Sequence, residues 1–407
     1  MAESASPARP LMRPPRAFFV AAVMFGVESV LIGTSAAAAP FIPSDDNLVL
    51  ESGLPTADPR VRQMRDLANV LQRQPEDLGL AMQLAGRQLA MGVAEADPRF
   101  VGYARGTLAR WWQDDSAFPP LRVLRARILQ AQHDFAPAAA DLRAALREAP
   151  DMAPALLVLE SIDEVTGDLA EAKEACAKLA ALRPGLAASA CAASIGSLTG
   201  ESEKSYAALA DALDREPTAA AGLRRWALTI LGEIAIRRGD PAADQHLRQA
   251  LALDARDVYA LTVYADYLLD QHRPTEVLPL LRGFERVDAL YLRLALAAQA
   301  TSDAQFPAYR GDLAARFAAA RRQSDTLHLR DASRLALEIE HDSVRALDFA
   351  RQNWSVHKTP YDARALLAAA AACQDTAAAQ PVIDWVAATR LEDMSVERLM
   401  RQLAAKG

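Results

Sequence analysis

The sequence predicts an all-α protein, an α-solenoid in which antiparallel helix pairs stack one on the next. Three observations lead to this fold class. Alanine, which has the highest intrinsic helix propensity, accounts for 88 of the 407 residues. From residue 58 onward, apolar residues recur at helical spacing, and no alternating run of β-branched residues predicts a strand. Prolines that would end helices also recur at a nearly constant interval.

Composition and charge exclude two broad classes of protein. The chain carries 45 basic and 52 acidic residues, a net charge of −7, whereas nucleic-acid binders cluster Lys and Arg on an electropositive face. We therefore expect no nucleic-acid partner. Hydrophobic residues make up 51% of the chain, which is enough to bury a long core and excludes wholesale disorder.

The first element is an N-terminal export signal, predicted over residues 1–38. Three arginines precede the apolar run Ala17–Val27, and a small-x-small site ends at Ala38, which predicts cleavage before Ala39. The alternative is an uncleaved membrane anchor over Ala17–Ala39, although Glu28 would then lie in the bilayer. Both alternatives place the rest of the chain outside the cytoplasm. We predict a periplasmic protein, or one anchored in the inner membrane and facing the periplasm.

An irregular, Pro-punctuated leader is predicted over residues 39–57, and the helices begin after it. Several helix starts are marked by a capping side chain before a proline, whose missing N–H is not needed in the first turn. These pairs are Asp58-Pro59, Asp97-Pro98, Asp240-Pro241 and Thr359-Pro360. Pro150, Pro184 and Pro217 mark helix ends.

The strongest repeat signal is the spacing of these three prolines, which lie 34 and 33 residues apart. Each segment that ends on one of these prolines begins with a tight turn. A small residue follows five positions after the first residue of the turn, and apolar residues or Cys follow nine and twelve positions after it. The turns are His133-Asp134, Gly167-Asp168 and Gly200-Glu201, with a further copy at Gly239-Asp240 and a fifth turn at His272-Arg273.

This pattern resembles the tetratricopeptide repeat (TPR) family. The resemblance implies 34-residue antiparallel helix pairs in a right-handed superhelix, whose continuous core is buried only when neighbouring pairs stack. It covers residues 119–285. Residues 58–118 are predicted to form N-terminal helix pairs, and residues 286–407 irregular helical repeats with a polar-faced cap.

Two of the three cysteines are candidates for a disulfide. Cys176 and Cys191 lie at similar distances on either side of the turn at Pro184, so that an antiparallel hairpin would place them at the same height. An exported protein permits the bond. The alternative is two small buried hydrophobic residues in an Ala-rich core. Cys373 is predicted to be buried and unbonded.

A search for chemistry finds no catalytic, metal-binding or cofactor motif. The sequence lacks glycine-rich phosphate loops, H-E-x-x-H, C-x-x-C and G-x-S-x-G. Glu338 with His341 is the best candidate for a metal-binding pair, but a solvated helix face explains it. Glu160, Asp163 and Glu164 are predicted to form an exposed or groove-lining charged face, with general acid–base chemistry as the alternative. We therefore expect no enzyme activity, no metal and no cofactor.

The resemblance implies a partner-binding groove, because in this family the first helices of successive repeats line the concave surface. Carried over by position, the predicted groove residues are Arg127, Gln130, Ser161, Glu164, Ser194, Ser197, Trp226, Glu233, Arg237, Tyr259, Asp266 and Asp270. Their mixture of charges, hydroxyls and two aromatic rings suits an extended peptide.

The predicted function is a non-catalytic exported scaffold that binds a partner protein or peptide. The alternatives are a membrane-anchored assembly factor for an envelope complex, and a helical-repeat enzyme or carrier for a glycan or peptide ligand. The second alternative would require a deep closed pocket with two opposed carboxylates. A membrane contact is expected only through the N-terminal segment, if it is uncleaved.

Overall fold

Helices account for nearly all of the regular structure. The computed structural model describes residues 58–114, 118–322 and 328–405, and over these ranges it contains twenty α-helices and no strand. Sequential helices pack side by side, which confirms the predicted all-α solenoid. The signal segment 1–38, its cleavage site at Ala38 and Ala39, and the leader 39–57 lie outside the described residues. No helix in the described ranges is long and apolar enough to cross a bilayer.

Nine helix pairs follow one another in the described part of the chain, between a first helix α1 (Pro59–Arg73) and a last helix α20 (Met394–Ala404). The pairs are α2 (Leu78–Glu95) with α3 (Pro98–Thr107), α4 (Pro119–Ala131) with α5 (Phe135–Glu148), α6 (Ala153–Thr166) with α7 (Leu169–Leu182), α8 (Leu186–Leu198) with α9 (Ser202–Arg215), α10 (Ala221–Arg238) with α11 (Ala242–Leu253), α12 (Val258–Asp270) with α13 (Pro274–Leu281), α14 (Asp288–Ala300) with α15 (Phe306–Arg322), α16 (Leu329–Arg334) with α17 (Ser343–Trp354), and α18 (Pro360–Cys373) with α19 (Thr376–Thr389). A π-helical segment, Leu335–Ile339, extends α16.

The turn inside each pair has nearly the same conformation, and only the turn after the π-helical segment closes over one more residue. Its first residue has a positive φ, and the next residue donates its backbone N–H to a carbonyl in the last turn of the first helix, as in a Schellman cap. The positive-φ residues are Ala96, His133, Gly167, Gly200, Gly239, His272, Ser302, His341 and Gln374. Only three of the nine are glycine. The repeat therefore continues on both sides of 119–285, where no glycine marks it in the sequence.

The predicted helix boundaries agree closely with the structure. The side chains of Asp58, Asp97 and Thr359 accept a hydrogen bond from a backbone N–H in the first turn of the helix that follows each of them. Asp240 does the same for the N–H of Ala242, 2.9 Å away, although α11 begins one residue later than predicted. Helices α5, α7 and α9 each end two residues before the marker prolines.

Small residues let paired helices approach closely. At Gly232 in α10, a Cβ atom would lie 2.7 Å from Cγ of Leu247 in α11, closer than real side chains approach. Leu231 beside it is fully buried. The absence of a side chain at Gly232 therefore lets α11 approach α10 closely.

The C-terminal pairs turn back onto the middle of the chain. The N–H of Lys358, just before α18, donates to the carbonyl oxygen of Val165 near the end of α6, at 2.8 Å. Beyond α19, the carboxylate of Glu392 accepts a hydrogen bond from the N–H of Ser202, 190 residues away in sequence, at 3.2 Å. The first helices consequently surround a common space instead of lining an open trough.

The structure joins Cys176 in α7 to Cys191 in α8 by a disulfide, with the Cα atoms 5.5 Å apart. Both side chains are buried against the main hydrophobic core. Cys373 is unbonded and half-buried, not fully buried as predicted, because it lies at the last turn of α18.

Candidate binding cavity

The space between the first helices is a cavity of about 940 Å³. All nine first helices, α2 through α18 in alternation, contribute residues to its wall. Arg60 of α1, Phe135 of α5 and residues of the connecting loops complete the lining. Because successive pairs present the same helix face inward, side chains far apart in sequence meet across this cavity.

Eight of the twelve predicted groove residues line the cavity. They are Arg127, Gln130, Glu164, Ser194, Glu233, Arg237, Tyr259 and Asp266. The remaining four, Ser161, Ser197, Trp226 and Asp270, do not line it.

Contacts within the fold explain the positions of these four residues. Ser161 accepts a hydrogen bond from Gln130, and the fully buried Ser197 accepts one from Arg237. Trp226 packs against the hydrophobic core. Asp270 pairs with Arg364 at 2.6 Å and lines a smaller cavity beside the first.

Sequence reasoning missed the cavity residues contributed by the C-terminal pairs. Arg330 and Tyr361 line the cavity, and each is the second residue of a first helix, as Tyr259 is in α12. Extending the repeat register beyond residue 285 would have found both. His357 and Asp362 join them because the loop before α18 contacts α6.

Most charges around the cavity are already paired. Arg225 contacts Asp254 and Asp257 at 2.7 and 2.9 Å, and Arg60 contacts Glu95 at 2.8 Å. Within each of these ion pairs, the opposite charges neutralise each other. They leave only a subset of the lining charges free for a ligand.

Asp266 belongs to a buried ion cluster beneath the wall. It contacts Arg293 at 2.8 Å and Arg334 at 2.7 Å, and Arg293 also contacts Asp331 at 2.9 Å. Burial would raise the pKa of Asp266, but the two guanidinium groups outweigh it and hold the pKa well below its usual range. Asp266 therefore stays ionised as a structural anchor.

Four lining charges form no ion pair within 4 Å among the described residues: Arg127, Glu164, Glu233 and Arg237. Glu233 accepts a hydrogen bond from the Tyr259 hydroxyl at 2.6 Å, and Ser194 donates one to Glu164 at 2.8 Å. Burial raises the pKa of Glu233, against the opposing attraction of Arg237. Of these four residues, Arg127, Glu164 and Glu233 are at least partly exposed, whereas Arg237 is only 9% exposed.

Of the α6 carboxylate cluster, only Glu164 lies on the groove-lining charged face that the sequence predicts, while Glu160 and Asp163 are buried. Glu160 is only 3% exposed and hydrogen-bonds to Glu164, the member that lines the cavity. Burial and the neighbouring Glu164 raise the pKa of Glu160 well above its usual range. The packing of α6 against neighbouring helices on both sides buries residues that periodicity alone left at the surface.

Neither group of potential metal ligands forms a convincing site. Glu338 bonds to Arg334, and His341 lies in the turn beyond the π-helical segment, so the two do not share a helix face. The Glu160 carboxylate lies within 4.8 Å of both Cys176 and Cys191 sulfurs, but those sulfurs are bonded to each other. The disulfide therefore leaves no thiolate at this position.

Asp163 gives a pH-dependent prediction for stability. It is 1% exposed, and burial raises its pKa to about 6, although Arg143 acts in the opposite direction. This folded-state pKa exceeds the unfolded value of about 3.9. The protonated form of Asp163 therefore stabilises the folded state below about pH 4, and this stabilisation is lost as the pH rises to 6. We expect the free energy of unfolding of the Asp163→Asn variant, relative to that of wild type, to be about 2 kcal/mol higher at pH 7.5 than at pH 4, as measured by urea unfolding.

The exposed Asp211 provides the control for this measurement. The Asp211→Asn variant should show nearly the same difference from wild type at both pH values, since Asp211 lies on the surface of α9 in a pair with Arg215. An Asp163→Asn effect that does not change with pH would contradict the raised pKa.

Comparison with known proteins identifies no family for this chain. No protein-family model and no curated protein matches the sequence. Among solved structures, the chain is similar to the yeast Tom70 crystal structure, with a TM-score of 0.39 and 12% sequence identity over 85% of this chain and 84% of that chain. A likeness at this level carries no inference about function.

Proposed function

We propose that this protein is a non-catalytic scaffold that holds an extended segment of a partner protein in the cavity between its first helices. The observation that carries the proposal is the convergence of all nine first helices on one cavity that retains unpaired charges. The cavity also presents exposed apolar surface, since Val93 and Tyr259 are 61% and 56% exposed. Side-chain hydrogen bonds with a few aromatic or aliphatic anchors suit a peptide without regular structure.

The proposed place of action is the periplasm or an equivalent exported compartment. The N-terminal apolar segment supports it, and a disulfide between Cys176 and Cys191 would persist only where the surroundings are oxidising. A membrane-anchored assembly factor would differ from this scaffold in retaining residues 17–39 as an uncleaved anchor. Cell fractionation with mass spectrometry of the N-terminus separates the two.

The proposal is tested by weakening the cavity without altering the core. Arg127 is exposed and Tyr259 is largely exposed, so replacing both with alanine should leave the fold intact. We expect the Arg127→Ala/Tyr259→Ala variant to recover at least tenfold less partner in a quantitative cross-linking pull-down from the native envelope fraction, because exposed Tyr and Arg residues often dominate peptide binding.

A matched variant on the outer surface serves as the control. Tyr103 and Arg215 are similarly exposed and do not line the cavity. The Tyr103→Ala/Arg215→Ala variant should recover as much partner as wild type. Equal recovery by the cavity variant and wild type would overturn the assignment of the cavity as the binding surface.

A carrier or enzyme for a small glycan or peptide ligand is the second candidate. The observation that favours it is the buried Glu160–Glu164 pair together with Glu233 in one cavity, whose volume is at the upper end of those that bind small ligands. Native mass spectrometry of the purified chain distinguishes this candidate. A bound small molecule that is lost in the Glu164→Gln variant would support it over the scaffold.

A further inference from the structure

The unpaired charges of the cavity suggest which chemical group of a peptide it receives. Glu164 on α6 and Glu233 on α10 both line the cavity, and repulsion between them contributes to the raised pKa of Glu233. Among the described residues, each carboxylate hydrogen-bonds to hydroxyl or carboxyl groups and forms no ion pair with a cation. Ser194 and Glu160 hydrogen-bond to Glu164, while Tyr259 and Tyr361 hydrogen-bond to Glu233. Two carboxylates therefore lie near each other without a directly bound cation in the described part of the chain.

Arg237, the cation whose charge acts on both carboxylates, is held away from each of them. Its Nη2 donates to the Oγ of Ser197 at 2.6 Å, on the side of α8 that faces the core. The side chain is only 9% exposed, and its Nε is buried without a hydrogen-bond partner among the described residues. An anionic ligand could not reach that nitrogen, whereas the two carboxylates face the cavity.

The aromatic rings beside the carboxylates also favour a positively charged ligand group. Tyr259 and Tyr361 both line the cavity next to Glu233. The face of a tyrosine ring attracts a cation, and an arginine already lies over Tyr361, where the guanidinium carbon of Arg330 is 5.8 Å from the ring centroid. A second cation entering between the rings and the carboxylates would find both partners together.

We propose that the part of the cavity formed by Glu164, Glu233, Tyr259 and Tyr361 binds the ammonium or guanidinium group of a lysine or arginine side chain in the bound peptide. This inference rests on the proposed function, because it identifies one residue of the peptide that the cavity holds. The cation would complete the hydrogen bonding of two partly buried carboxylates. Hydrogen bonds between charged groups of this kind are the strongest in peptide recognition.

Selection from a random peptide library displayed on phage tests the inference while the partner is still unidentified. The immobilised full chain is the bait, and enriched peptides are synthesised and titrated by calorimetry. We expect wild type to enrich peptides that share one basic position. Replacing that residue by glutamine should weaken binding about ten- to hundredfold, as should the Glu164→Gln/Glu233→Gln variant of the protein.

Two controls separate this effect from damage to the fold. The Glu171→Gln/Glu174→Gln variant removes two carboxylates from α7, outside the main cavity, and should bind the peptides like wild type. The glutamine-substituted peptide tests the same contact with unaltered protein, so the result does not depend on the folding of the cavity variant.

The outcomes also separate this inference from the proposed function. Enriched peptides with no shared basic position, or with affinities unaffected by either change to the contact, would overturn the inference and leave peptide binding intact. A selection that enriches no peptide would overturn both. A shared acidic position would instead indicate that the exposed Arg127 receives the ligand, contrary to the inference.

Discussion

Replacing Arg293 with methionine is expected to lower the free energy of unfolding by about 3–5 kcal/mol at neutral pH. Arg293 is 1% exposed and lies between two buried carboxylates, those of Asp266 and Asp331. Removing the guanidinium leaves Asp331 without its direct ion pair and Asp266 with Arg334 alone. Methionine retains much of the volume of the side chain, so the loss would mainly reflect charge and not a cavity.

The effect of this substitution should depend on pH in a defined direction. Arg293 lowers the pKa of Asp266 below its unfolded value, so its stabilising contribution is present above about pH 4 and is lost as the pH falls further. Urea unfolding should therefore show a smaller difference between the Arg293→Met variant and wild type at pH 3 than at pH 7.

The exposed pair of Arg215 with Asp211 provides the comparison. It joins two residues one turn apart on the surface of α9. The Arg215→Met variant is expected to change stability by less than about 0.5 kcal/mol, because solvent screens exposed ion pairs. A loss below about 1 kcal/mol for the Arg293→Met variant would show that the buried cluster does not anchor α14 to its neighbours.

Removing the disulfide is expected to cost about 3 kcal/mol. The bond closes a loop of 15 residues between α7 and α8, and the entropy that it removes from the unfolded chain predicts this magnitude. The Cys176→Ala/Cys191→Ala variant should therefore melt at a lower temperature than oxidised wild type. A reducing agent should lower the melting temperature of wild type and leave the variant unchanged.

The unbonded Cys373 controls for the substitution itself. It lies half-buried at the end of α18, and the Cys373→Ala variant should retain both the melting temperature and its sensitivity to reduction. Alkylation and mass spectrometry of the native, oxidised protein should label only this thiol. Labelling of all three cysteines would show that Cys176 and Cys191 are not bonded.

The local elements of the fold were predictable because their signals lie within a few residues. Capping side chains such as Asp58 and Thr359 satisfy N–H groups in the adjacent turn, and prolines end helices through their own geometry. The three-copy spacing similarly reports a helix pair of fixed length. None of these signals depends on a distant part of the chain.

The repeat was harder to recognise where residues other than glycine occupy the left-handed turn. His133 and Gln374 adopt the same positive φ as Gly167. The hydrogen bonds of the Schellman cap and the packing of the two helices compensate for the strain of this conformation. Glycine therefore marks only three of the nine turns. The sequence spacing also indicated the turns at His133 and His272, but not those at Ala96, Ser302, His341 and Gln374.

The sequence by itself determined the helical fold class, several helix caps and the repeating helix pairs of residues 119–285, since these follow from short-range hydrogen bonding and helical periodicity. Only the tertiary structure decided which inward residues meet. The loop before α18 contacts α6 through the N–H of Lys358 and the carbonyl oxygen of Val165, and this arrangement of the helices places Tyr361 beside Glu233. The cavity and its unpaired carboxylates depend on contacts between distant parts of the chain, which no local pattern encodes.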